Sequence, residues 1–318
     1  MGEDWGGGLN AMSIALLFPG QGSQFIGMGK DIANASAAAK KIYDLANTIL
    51  NTNLSAICWD GPEADLNETY NTQPALYVCS MATLAAMREK KNVTPTFVAG
   101  HSLGEVTALA AAGALSFEDG LALVRERGRL MKRAGELSPG GMAAILNVEA
   151  NVLTEVCAEA SSATGKVVQV ANDNCPGQIV ISGDNVALEK AMELAKVKGA
   201  KRALKLPVSI AAHSPLMNIV VDDYAKFVNS LRYVPPTIPV IANASAQPLT
   251  DIESIKKELV SQLTTQVRWT DSIRYLASQG VTKFYEIGSK DVLTGLLKRI
   301  APEAQGVAVG TPEAVVGL

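Results

Sequence analysis

Gly100-His101-Ser102-Leu103-Gly104 combines a hydroxyl that could serve as a nucleophile with the two glycines a sharp turn requires. Thr96 to Ala99 before it is an apolar extended run, and Leu103 to Ala112 after it has helical composition, so the pentapeptide falls where a strand passes into a helix. A glycine two residues to each side lets the chain turn tightly enough to lift Ser102 above the sheet edge. The N-terminus of the following helix favours negative charge developing there. In a chain with 27 glycines among 318 residues, G-x-S-x-G arises by chance with an expectation on the order of 0.1 to 0.2. The pentapeptide therefore needs chemical partners, because a glycine-rich turn with a helix-capping serine reads the same way.

A serine hydroxyl is a weak nucleophile near neutral pH and requires a base, almost always an imidazole. The chain has two histidines. His101 adjoins Ser102, and neighbouring side chains diverge on a sharp turn, which leaves His101 to support the turn and makes His213 the base. His213 lies in Ile210-Ala211-Ala212-His213-Ser214-Pro215, an irregular stretch from which a side chain can reach into a cleft. The oxyanion donors are expected from backbone: the amide of Gln21, in the turn Gly20-Gln21-Gly22, joined by that of Leu103. Arg127 completes the set. Leu123 and Val124 precede it by one helical turn and Leu130 and Met131 follow by one, so it falls on an apolar stripe, with Arg125 and Arg129 on more polar faces. A guanidinium keeps its proton, so once buried it needs an anionic or strongly accepting partner, either a protein carboxylate or a substrate. A bidentate clamp of this kind would select acyl groups that end in a carboxylate.

The positioning elements alternate strand and helix, which points to an α/β sheet. Ser13 to Phe18 reads as a strand, Asp31 to Leu50 as helical, Thr72 to Arg88 as a helix with Pro74 in its first turn, and Ser116-Phe117-Glu118-Asp119 as a capping box opening a helix to about Ala134. From Met142 to Pro207 the rhythm is β-α-β-β-α-β, a ferredoxin-like insertion. The larger pattern then resumes, with a helix from about Ser214, a strand Ile238 to Ala242, two helices between Asp251 and Ser278, and a strand Lys283 to Ile287. The expected organisation is a large α/β subdomain with a parallel sheet over 12–137 and 208–300, a small subdomain over 138–207, and a tail over 301–318 with no assigned role. Residues 1–11 carry Glu3, Asp4 and Gly6-Gly7-Gly8 and read as a flexible leader or cloning remnant, which makes Met12 the expected natural start.

Composition narrows the function classes. A net charge of −3 with no basic stripe argues against nucleic acid. The most apolar stretch, Ala108 to Phe117, is about half a membrane span. Cys58, Cys79, Cys157 and Cys175 lack C-x-x-C spacing and are expected to be reduced thiols in a cytoplasmic protein. No zinc motif is present, and the dinucleotide and phosphate-loop patterns both fail around Gly20, at Phe25, Gln24 and Asp31.

Six segments taken together resemble the malonyl-CoA:acyl carrier protein transacylases: Phe18-Pro19-Gly20-Gln21-Gly22-Ser23-Gln24, Gly100 to Glu105, Arg125-Glu126-Arg127-Gly128, Asn174-Cys175-Pro176-Gly177-Gln178, Ala212-His213-Ser214 and Gln262-Leu263. The resemblance runs from Met12 to about Arg299. It implies an α/β-hydrolase-like large subdomain interrupted by a ferredoxin-like one, with Ser102 as nucleophile, His213 as base, Arg127 as clamp on the malonyl carboxylate, and the Gln21 and Leu103 amides as oxyanion donors. It further implies that the main-chain carbonyl of Gln262 orients the histidine, giving a Ser-His dyad without an acid, and that Asn174 stands in a loop turned toward the substrate. The implied reaction is ping-pong transfer from malonyl-CoA to the phosphopantetheine thiol of acyl carrier protein, with no permanently bound cofactor, by a monomer. Ile210-Ala211-Ala212 matches neither the His-Ala-Phe-His nor the Tyr-Ala-Ser-His pattern of the polyketide domains, so the preference between malonyl and methylmalonyl stays open. Two rivals remain: a serine esterase or thioesterase, which leaves Arg127 unexplained, and a non-catalytic docking subunit for carrier protein.

Overall fold

The computed structural model describes residues 13–91 and 93–318; the leader reading for 1–11 lies outside them. Among the described residues ten strands form two sheets. In chain order they are β1 (Ser13–Phe18), β2 (Phe97–Gly100), β3 (Gly140–Leu146), β4 (Val168–Cys175), β5 (Gln178–Asp184), β6 (Arg202–Lys205), β7 (Val240–Ile241), β8 (Pro248–Leu249), β9 (Val281–Ile287) and β10 (Gln305–Val309). The large sheet runs β10-β9-β1-β2-β7-β8 and is parallel except for the β7–β8 pair. Its strands are apolar on both faces because helices cover both. In β1, Leu16 and Phe18 join the core built on the long helix Thr69–Lys90, whereas Ala15 and Leu17 face Trp269, Ile273 and Leu297 on the other side.

The second sheet is antiparallel, in the order β4-β5-β3-β6, with helices Ala150–Thr164 and Asn185–Val197 packed on it through Leu153, Val156, Leu188 and Ala191. The chain is thus a mixed α/β protein in which a β-α-β-β-α-β unit interrupts a mainly parallel sheet.

Several elements differ from the sequence reading. Asp31 to Leu50 is two helices, Lys30–Ala35 and Ala37–Leu50, because the Ser36 hydroxyl accepts the Ala39 amide and starts a new helix. The helix expected from Thr72 begins at Thr69, so Pro74 lies inside it, past the first turn. Proline supplies no amide for the Tyr70 carbonyl four residues back, and Arg125 Nη1 donates to that carbonyl instead, at 2.9 Å. Residues 301–318 are no appendage: β10 pairs in parallel with β9 at the sheet edge, and helix Pro312–Val316 follows it. Small residues in this strand suit close packing, and Gly306 lies against Thr294 and Leu297. No helix among the described residues is long and apolar enough to cross a membrane. All four cysteines are free and buried.

Candidate active site

Ser102 lies between β2 and the helix Gly104–Ala111 with φ of 53°, a left-handed conformation costing about 1 to 3 kcal/mol for a residue with a side chain. Both flanking glycines are required by close approach. A Cβ on Gly100 would overlap the Gly104 carbonyl, and one on Gly104 would overlap the carbonyl of Phe18 at the end of β1. The strained turn is held by Asn243. Its Oδ1 accepts the Ser102 amide at 2.7 Å, and its Nδ2 donates to the Gly100 carbonyl at 2.7 Å.

The Ser102 hydroxyl is 2.8 Å from His213 Nε2, and His213 Nδ1 is 2.8 Å from the main-chain carbonyl of Gln262. A carbonyl can only accept, so Nδ1 carries the hydrogen and Nε2 presents its lone pair to the hydroxyl. His213 is also left-handed, at φ 57°, and its own carbonyl accepts Gln169 Nε2 at 2.7 Å. The same Gln169 nitrogen donates to the Thr264 carbonyl at 3.0 Å. The imidazole is buried, at 2% exposure. Burial and, next, the charge of Arg127 hold its pKa down to about 3, so it is neutral and able to accept a proton.

Arg127 projects from the helix Phe117–Leu137, whose start is capped by the Ser116 hydroxyl, and it is buried at 2% exposure. Its Nη1 donates to Gln73 Oε1 at 2.9 Å, and its Nη2 donates to Gln262 Oε1 at 2.9 Å and to Ser102 Oγ at 3.2 Å. Gln73 is oriented in turn: its Nε2 donates to Thr69 Oγ1, which donates to Gln21 Oε1. Among the described residues no carboxylate lies at ion-pair distance from Arg127, although Glu105 is near enough to act on it through charge. Burial lowers its pKa, yet a guanidinium remains protonated. Neutral amide oxygens therefore hold a full positive charge beside the serine. Such a charge is expensive to bury and suits an anion that arrives with a ligand.

Gln21 occupies the exposed turn after β1, and Leu103 opens the helix behind Ser102. Among the described residues the Gln21 and Leu103 amides have no protein acceptor. Asn174 requires a correction. It lies on β4 and not in a loop, and its Oδ1 is 2.8 Å from His101 Nε2, while the His101 ring stands edge-on to Trp269. The amide oxygen is thereby committed to the histidine next to Ser102, because β4 runs beside the turn that carries both.

Sequence reasoning missed Gln73, Gln169, Asn243 and the part played by Glu105. Gln73 left no signal, because it closes the polar stretch Thr69-Tyr70-Asn71-Thr72 and does not interrupt an apolar one. Gln169 and Asn243 left none, since their partners are 44 and 141 residues away along the chain.

A strained serine hydrogen-bonded to a neutral, oriented imidazole on an α/β fold has the geometry that acyl exchange through a serine ester requires. The family model described as "Acyl transferase domain" matches residues 15–318, and the chain belongs to that family. It is 46% identical over 302 residues to the malonyl CoA-acyl carrier protein transacylase of Bacillus subtilis (strain 168), covering 95% of each chain. Its structure is similar to an acyl carrier protein S-malonyltransferase from Vibrio cholerae, with 42% identity, a TM-score of 0.93, and coverage of 96% and 99% of the two chains. It is also similar to a malonyl-transacylase solved in complex with its type II polyketide acyl carrier protein, with 38% identity, a TM-score of 0.93, and coverage of 96% and 98%.

Proposed function

We propose that this acyltransferase moves a malonyl group from malonyl-CoA to the phosphopantetheine thiol of an acyl carrier protein through a malonyl ester on Ser102. His213 Nε2 takes the hydroxyl proton while Oγ attacks the thioester carbonyl. The amides of Gln21 and Leu103 receive the tetrahedral oxyanion. As the intermediate collapses, the C–S bond breaks and the coenzyme A thiolate leaves with the proton from His213. The carrier-protein thiol then gives its proton to His213 and attacks the ester, and Ser102 departs with that proton restored. Arg127 takes the malonyl carboxylate throughout, and Gln262 orients the base.

The observation that carries this reading is the Arg127 guanidinium, buried, held among the described residues by neutral oxygens alone, and 3.2 Å from the Ser102 hydroxyl. Malonyl places its carboxylate one methylene from the carbonyl under attack, which suits so short a separation. Relatives named for malonyl transfer, one of them solved with its carrier protein, support the same donor and acceptor. On this reading the protein is a cytoplasmic monomer serving fatty acid or polyketide synthesis. Mass spectrometry after exposure to malonyl-CoA should find a malonyl adduct on Ser102 that carrier protein then removes. Absence of the adduct would reject the reading, and release of free malonate in preference to transfer would make the protein a hydrolase.

A further inference from the structure

Glu105, the last residue of the Gly100–Glu105 segment, is fully buried and has no part in the acyl transfer just described. Its Oε1 accepts the Asn243 amide at 2.7 Å and Asn243 Nδ2 at 3.2 Å, and its Oε2 accepts Gln262 Nε2 at 2.5 Å. Asn243 pins the strained turn of Ser102. The side chain of Gln262 donates to the Ser102 carbonyl at 3.0 Å and accepts from Arg127. We infer that Glu105 is a positioning residue, a buried carboxyl that fixes the nucleophile's backbone through Asn243 and the cationic subsite through the Gln262 amide. The inference rests on the acyl-transfer reading above.

The side-chain amide of Gln262 could present either its oxygen or its nitrogen to Arg127, and only the oxygen is useful there. Glu105 decides the orientation. By accepting Nε2 it turns Oε1 toward the guanidinium. Burial and the nearby carboxyl of Glu258 push the Glu105 pKa well above the ordinary carboxylate range. Ionised or protonated, each of its oxygens still has a lone pair for these N–H groups. A glutamine of the same shape cannot do this. Whichever way its amide is set, one nitrogen faces either Asn243 or Gln262 donor to donor, and the second case rotates Gln262 and turns an N–H toward Arg127.

The test is a cycle of Glu105→Gln, Gln262→Leu and the double variant, read as the malonyl-CoA acylation rate per titrated active site alongside the malonyl-to-acetyl preference. Gln262→Leu retains the main-chain carbonyl that faces His213. Each single variant is expected to slow acylation about 10- to 100-fold and to weaken the preference for malonyl, and the double variant should be no slower than the slower single one. Effects that multiply would mean that Glu105 does not act through Gln262 and would overturn the inference. So would a Glu105→Gln protein with an unchanged rate per titrated site and only a lower Tm. Should Glu105→Gln fail to fold, Glu105→Asp, which keeps two accepting oxygens but has a shorter reach, enters the same cycle with the same two outcomes. A parent protein that acylates while the effects multiply sinks this inference alone; a parent that forms no malonyl-Ser102 adduct sinks the transfer reading and the inference with it.

Discussion

Arg127 and His213 act on each other across the serine they share. The guanidinium charge adds to burial in depressing the imidazole, so a bound carboxylate that cancelled the charge would make His213 more basic, which the proposed mechanism requires while substrate is bound. Arg127→Ala should lose about 2 to 5 kcal/mol of malonyl recognition, the range for truncating one partner of a buried charged contact. This is measured as kcat/KM for malonyl-CoA relative to acetyl-CoA, and an unaltered preference would remove the clamp from the mechanism. The pH profile follows with a definite sign. In the proposed mechanism His213 works unprotonated, and its pKa is held at about 3, so kcat/KM for the parent should show no histidine limb between neutrality and roughly pH 5. In Arg127→Ala the limb should move upward, toward the ordinary histidine value of about 6.5. A limb near that value in the parent would mean that the imidazole is solvated and unaffected by Arg127. Ser102, His213 and Arg127, which the structure brings into contact, could be singled out in the sequence because their types are conspicuous: one serine between glycines, one histidine left after the other is excluded, one arginine on an apolar stripe. Asn243, Gln169 and Glu105 were not, because a lone amide or acid carries no pattern until tertiary pairing gives it partners.

At the scale of elements, the helix Val292–Ile300 begins without a cap from its own Asp291, and the strand before it supplies one. Glu286 on β9 is fully buried, and its two oxygens accept the amides of Leu293 at 2.9 Å and Thr294 at 2.7 Å. A carboxyl group on these first amides satisfies donors that a helix leaves unpaired, although burial pushes its pKa up to about 7. Glu286→Ala should therefore cost about 2 to 4 kcal/mol by orphaning two buried N–H groups. The loss should appear as a lower urea midpoint with acylation per titrated site unchanged, and an unmoved midpoint would mean that water replaces the cap. The β-α-β-β-α-β order could be read because hydrophobic period switches at each element. The short helices Leu54–Asp60 and Glu63–Asn67 could not, since neither spans two full turns, and β10 was hidden by the small side chains that let it lie at the sheet edge.

For the molecule as a whole, the site lies where the small subdomain meets the large one, and the contact between them is main chain as well as side chain. The Asp173 amide donates to the Val267 carbonyl at 3.0 Å and the Val267 amide to the Ala171 carbonyl at 2.8 Å, so β4 is tied to the segment that follows Gln262. Gln169, on the same strand, holds the carbonyls of Thr264 and His213 with one nitrogen. The small subdomain is thus joined to His213 and to the segment that follows Gln262, whose carbonyl lies against the His213 ring. Gln169→Leu should release the left-handed backbone of His213. A displacement of about 1 Å in a catalytic group can cost on the order of a hundredfold, whereas two carbonyls losing one donor should lower stability by only about 1 to 3 kcal/mol. The expected result is an acylation rate per titrated site that falls at least tenfold, together with faster loss of the malonyl ester to water as the site loosens. A variant with a lowered urea midpoint and a parental acylation rate would mean that this seam only stabilises the protein and that His213 is held without it.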